Sequence, residues 1–148
     1  DKLGWKRFFK KGVRDKRAVK EYGDEMVKQY LIFCKSQDVA INSLSGGNIQ
    51  KAVLARELSG SPQVIIADQP TRGVDIGAIE LIHKTLVDAR NAGKAVLLVS
   101  LELDEVMMLS DRIAVMHDGE IMKIFPGNQA TREEIGLLMA GGRMAEDE

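Results

Sequence analysis

The chain has one cysteine, three prolines, two histidines and 5% aromatic residues in its 148 positions. The lone Cys34 excludes an intrachain disulfide, and with it the small disulfide-stapled scaffolds of secreted proteins. A reducing, cytoplasmic setting is the expectation. No apolar run reaches the ~20 residues that a helix needs to cross a bilayer. The first residues are charged and carry no apolar core of a signal peptide. Charge of one sign is not in excess either. Lys and Arg number 21 against 22 Asp and Glu, a net charge of −1. A global attraction to nucleic acid or to an anionic membrane is therefore absent. What remains is ordinary: 45% hydrophobic and 29% charged residues, in a chain long enough for one domain with a core.

Turn residues punctuate the chain into alternating patterns. Val19, Tyr22, Met26, Tyr30 and Phe33 recur every three or four residues and predict a helix over Lys16–Phe33. Residues 35–44 read as a loop. A second helix is expected from Gly47 to Leu58, with Ala52, Ala55 and Leu58 inward, stopped by Gly60-Ser61-Pro62. The apolar runs Val64–Ala67 and Ala95–Val99 read as buried parallel strands. Ile76–Asn91, stopped by Gly93, reads as the helix between them, which argues for α/β architecture. A short helix over Glu102–Leu109 follows. Arg112–Met116 and Glu120–Phe125 flank Asp118-Gly119 and predict a hairpin. Thr131 and Glu134 form a capping-box pattern opening a last helix to about Ala140. Cys34 in an apolar stretch reads as core, and the tail Glu146-Asp147-Glu148 as frayed.

One turn stands apart. Leu44-Ser45-Gly46-Gly47-Asn48 leads straight into the second helix. Glycine removes the Cβ that would keep a phosphate from the backbone. The first-turn N–H groups and the positive end of the helix favour an anion. Ser45 can cap the helix or bond a phosphate oxygen. Taken alone, Ser-Gly-Gly is also an ordinary helix start. Asp68-Gln69-Pro70 lies at the carboxyl end of an apolar strand, where open α/β sheets bind ligands and where a carboxylate can hold Mg²⁺. A lone acidic strand end is equally a solvated loop. Asp75, before the Ile76 helix, reads as an N-cap.

The string LSGGNIQK resembles the signature motif of ATP-binding-cassette (ABC) ATPases. The apolar strand with Asp68 resembles their Walker B motif, 21 residues past Gly47. Thr71-Arg72-Gly73-Val74-Asp75 resembles the D-loop region, and Leu103-x-Glu105-Val106 with Ser110-Asp111-Arg112-Ile113 continues the likeness. Gln69-Pro70-Thr71-Arg72-Gly73 looks most like the second cassette of tandem importers of sugars and nucleosides. The resemblance implies a partial P-loop NTPase core with a helical subdomain. Its expected divisions are a helical (signature) subdomain at 1–60 and a partial RecA-like core at 61–148. It implies ATP at Leu44, Ser45, Gly46, Gly47, Asn48 and Gln50, Mg²⁺ at Asp68, and an inter-cassette contact at Asp75. The implied partners are a second cassette, membrane permease subunits and, indirectly, a solute-binding protein, at the inner face of the cell membrane, with no nucleic acid.

Three departures narrow this. No G-x-x-x-x-G-K-[ST] occurs, so the cradle and lysine of a P-loop are missing. The chain then resembles the C-terminal part of a cassette, and by itself is expected to be inactive and, with exposed strand edges, to self-associate or to be marginally stable. Gln69 stands where the family has a catalytic Glu, and an amide cannot act as a general base. Leu101 stands where the family has a switch histidine. His83 and His117 read as surface or half-buried structural residues that do not replace it. The implication is a hydrolytic half that is degenerate, with the signature given in trans to a partner's ATP. A regulatory half-cassette without hydrolysis is the alternative. A soluble DNA-repair or chromosome-organising ATPase would carry coiled-coil heptads near the signature, and none occur. The basic stretch over residues 1–20, with Trp5, Phe8 and Phe9, reads as a nucleic-acid surface, a solvated helical face or a permease-docking subdomain.

Overall fold

The computed structural model describes residues 6–10 and 12–142. Trp5, Lys2, Lys11 and the Glu146–Glu148 tail lie outside the described residues. The chain condenses into two compact units, residues 1–65 with 70–97 and residues 66–69 with 98–148. The helix after Asp75 packs on the helix that opens at Gly46, and both belong to the first unit.

In the first unit, β1 (Phe9–Lys10) and β2 (Val13–Arg14) pair antiparallel. Asp15 then caps α1 (Lys16–Gln29), accepting from the N–H groups of Arg17 and Ala18 at 3.1 Å. Part of the basic stretch is answered locally. Lys10 pairs with Asp15 at 2.8 Å, and Arg7 lies 5.2 Å over the Tyr22 ring and reaches Glu25 at 3.5 Å. Phe8 meets Tyr22 edge-on at 5.2 Å.

The first helix ends earlier than the apolar spacing predicts. Tyr30 is its C-cap and Leu31 turns at φ 51°, so the chain leaves the helical path. Phe33, expected inward, is 86% exposed. Cys34 is half-buried in the loop that follows, beside an apolar groove of about 300 Å³ with Tyr22, Met26, Val27, Ile32 and Leu44.

α2 (Gly46–Leu58) and α3 (Ile76–Asn91) form the packed part of this unit. Ala78, Ile82, Leu86 and Ala89 recur at helical spacing along α3 and are all buried. Gly47 and Ala55 are the buried residues of α2, with Ala52 and Leu58 half-buried.

β3 (Val64–Asp68) and β4 (Ala95–Val99) form a two-stranded sheet. Ala95 N–H donates to Gln63 C=O at 2.9 Å, and Gln69 N–H donates to Val99 C=O at 2.8 Å. The expectation of strands buried on both faces fails. Ile65 and Ala67 are buried, but Val64, Ile66, Leu97 and Val99 are exposed. Two strands expose the face that a wider, covered sheet would bury.

The second unit is built on α4 (Leu103–Leu109), β5 (Arg112–His117), β6 (Glu120–Pro126) and α5 (Arg132–Met139). The hairpin is antiparallel with an irregularity between Val115 and Met116. Its turn residues Asp118 and Gly119 both take positive φ, 47° and 81°, as a tight two-residue turn requires. Ile113, Val115, Phe125, Ala130, Ile135 and Leu138 make its core. The capping box forms as expected. Glu134 N–H donates to Thr131 Oγ1 at 3.2 Å, and Thr131 N–H donates to Glu134 Oε2 at 2.9 Å. The Thr131 hydroxyl, then its backbone N–H, holds the Glu134 carboxyl below the usual carboxylate range. His117 donates from Nδ1 to the Met139 carbonyl at 2.9 Å, tying the hairpin to the end of α5. His83 is half-buried on α3.

Candidate functional site

Ser45 is the N-cap of α2, in extended conformation at φ −65° and ψ 157°. Its side chain accepts no backbone N–H of the first helical turn. It accepts instead from Asn48 Nδ2 at 2.9 Å. The same amide accepts, through Oδ1, the N–H of Phe33 at 2.7 Å. Ser45 and Gly46 are exposed, whereas Leu44, Asn48 and Gln50 are half-buried.

The two glycines serve different ends. Gly47 is buried, and a Cβ there would collide with Asp75 Oδ2 and sit 3.2 Å from the Ala78 Cβ. Only hydrogen lets α2 come this close to the start of α3. A Cβ on Gly46 would meet nothing nearer than the Gly73 carbonyl at 3.4 Å, so its outer side is open. Asp75 is the N-cap of α3 and accepts from Ala78 N–H at 2.9 Å with Oδ1, while Oδ2 faces Gly47. Gly73, at φ 71°, makes the turn that brings this stretch back to Gly46. The first unit thus brings Ser45, Gly46, Gly47, Asn48 and Asp75 together.

The carboxyl end of β3, in the second unit, is built otherwise. Asp68 is exposed at the strand's last position. Gln69 follows at φ 47°, an uncommon left-handed conformation for a residue other than glycine. Its Oε1 receives a long hydrogen bond, 3.5 Å, from the Leu101 N–H. The Leu101 side chain is 72% exposed and offers no polar atom. Among the described residues, no three His, Cys, Asp or Glu side chains cluster as a preformed metal cage. One open carboxylate still suits Mg²⁺, which takes one or two protein carboxylates and fills its shell with water and phosphate oxygens.

Sequence reasoning missed two participants. The Phe33 N–H lies 15 residues before its partner Asn48 and sends no signal through motif or period. The Gly73 carbonyl beside Gly46 had one readable cue, a glycine inside the D-loop string.

No protein-family model matches the chain. It is 47% identical over 137 residues to the nucleoside import ATP-binding protein NupA of Lactococcus lactis, covering 93% of this chain and 27% of that protein. It is 45% identical over 135 residues to the guanosine import ATP-binding protein NupO of Bacillus subtilis, covering 91% of this chain and 26% of that protein. The ribose import ATP-binding protein RbsA of Bacillus licheniformis matches at 40% over 136 residues, 92% of this chain and 28% of that protein. Among solved structures, the dimeric cassette MJ0796 of a bacterial ABC transporter superposes with a TM-score of 0.66 at 26% identity, over 80% of this chain and 50% of that one. The chain therefore spans about a quarter of the length of these curated relatives and half of the solved cassette. Likeness across most of the chain and the cassette fold together make it a member of the ABC transporter ATP-binding proteins, as a portion of a nucleotide-binding cassette.

Proposed function

We propose that the chain works within the ATP-binding subunit of an ABC importer for nucleosides or sugars. In this reading it gives Ser45, Gly46 and Gly47 to ATP held by the P-loop of a second cassette. The observation that carries the reading is the state of the signature turn. The Ser45 oxygen caps no first-turn N–H, and Gly46 is open on its outer side. A phosphate can then meet backbone N–H groups and a hydroxyl together. Gln50 on the same helix, with Leu44 before it, completes the nucleotide face, and Asn48 serves that face through Ser45.

Asp68 is the residue that would hold Mg²⁺, whose charge would offset the charge developing on the phosphate. Asp75 would face the opposing cassette while keeping its cap on α3. Gln69 and Leu101 support a weak hydrolytic role for this chain's own strand end. An amide has no proton-accepting site of useful basicity, and here it contacts the Leu101 backbone. The partners in this reading are a second cassette and permease subunits, at the cytoplasmic face of a membrane. A solute-binding protein upstream would choose the solute.

The reading is tested by MgATP turnover of the full-length ATPase with each half disabled in turn. Disabling the signature half through Ser45→Arg is expected to abolish most turnover, and unchanged turnover would defeat the reading. Uptake of labelled nucleosides and pentoses by cells carrying the parent protein, compared with Ser45→Arg, decides the solute class.

A further inference from the structure

We infer that Asn48 is a positioning residue that presents the Ser45 hydroxyl as a hydrogen-bond donor. The inference rests on the reading that Ser45 contacts phosphate. The orientation of the Asn48 amide is not free. The Phe33 N–H can only donate, so the atom 2.7 Å from it must be Oδ1. That forces Nδ2, a donor, toward Ser45 Oγ at 2.9 Å.

A hydroxyl has one hydrogen to give and two lone pairs. An N-cap serine ordinarily uses its oxygen to accept from an N–H in the first turn. Ser45 makes no such bond. Its acceptor role is taken by Asn48, which leaves the Oγ–H to point to an external acceptor and leaves the first-turn N–H groups without a side-chain oxygen. Asn48 therefore clears two kinds of donor at once. It also fastens Ser45 to the Phe33 segment, which Lys51 Nζ holds a second time through the Leu31 carbonyl at 3.4 Å.

The test is MgATP turnover by the full-length ATPase with Asn48→Ala, Ser45→Ala and the double variant. Asn48→Ala should lower kcat about ten- to a hundredfold with little change in KM. Losing the donor outright costs about 10²–10³, and misplacing it costs less. The double variant should turn over like Ser45→Ala alone, because Asn48 acts through that hydroxyl. Asn48→Asp serves as the folding control. It keeps an acceptor for Phe33 and suits a first helical turn, so its thermal midpoint should equal or exceed the parent's. Its carboxylate would accept the Ser45 hydroxyl and turn it from phosphate, so turnover should fall at least as far as in Asn48→Ala. Parent-like turnover of Asn48→Ala or Asn48→Asp beside an impaired Ser45→Ala overturns this inference alone. So does a double variant slower than Ser45→Ala by the full Asn48 factor. Parent-like turnover of Ser45→Ala overturns the proposed function and this inference with it.

Discussion

At the signature turn, Ser45, Gly46 and Gly47 are braced from several directions; at the end of β3, Asp68 and Leu101 stand exposed, with one long hydrogen bond from the Leu101 N–H to Gln69. Asn48 holds Ser45, the Gly73 carbonyl approaches Gly46, and Asp75 fills the space over Gly47. Gln69 offers an amide to the Leu101 backbone and nothing more basic. The difference is in preorganisation. A phosphate-binding turn acts through groups already aimed before the ligand arrives. Apart from the Asp68 carboxylate, the strand end offers an amide and an aliphatic side chain, neither able to act as a general base.

The contrast can be broken from beneath. Ile82 is fully buried on α3, the helix against which α2 packs. Ile82→Ala should cost about 2–5 kcal/mol, read as a lower denaturation midpoint of the first unit. Hydrogen exchange should then quicken in α2 and α3 and leave the hairpin of the second unit protected. Next in size is Gly47→Ala. Its Cβ would collide with the Asp75 carboxylate, and about 1–3 kcal/mol should be lost through overpacking. Nucleotide binding should weaken with it, whereas Gly46→Ala, at 3.4 Å from its nearest neighbour, should fold normally.

Asp75→Ala is a smaller blow to the same support. It removes the cap that Ala78 N–H uses and should cost about 1 kcal/mol in a melt. If Asp75 also serves an opposing cassette, turnover should drop more than the melt explains. The smallest effect lies in α5. The Glu134 carboxyl is held low by Thr131. Its contribution to α5 is present above the ordinary carboxylate range and is lost as pH falls through the lowered value. Helicity of α5, followed by exchange of its amides, should decline on acidification, and Glu134→Gln should flatten that dependence. The signature turn should not follow the same curve.

Much of this was legible because the chain marks its own boundaries. Asp75 and Gly93 bracket α3, and the helix spans the expected Ile76–Asn91. Thr131 and Glu134 make the expected box. Apolar spacing misled where it continued past a turn. Phe33 keeps the period of α1, yet Leu31 at φ 51° has already ended the helix. Apolar runs misled again at β3 and β4, since an unbroken run does not reveal whether both faces are covered. The bracing of the signature was beyond motif reading. Gly47 meets Asp75, and Asn48 meets Phe33, only after the chain has folded.

The most direct test sets the two ends against each other in the full-length ATPase, comparing MgATP turnover of Ser45→Arg and Asp68→Asn. Ser45→Arg should lose about 10²–10³, the scale of one preorganised donor at about 3–4 kcal/mol, and Asp68→Asn should change little. Turnover retained by Ser45→Arg but abolished by Asp68→Asn would contradict this.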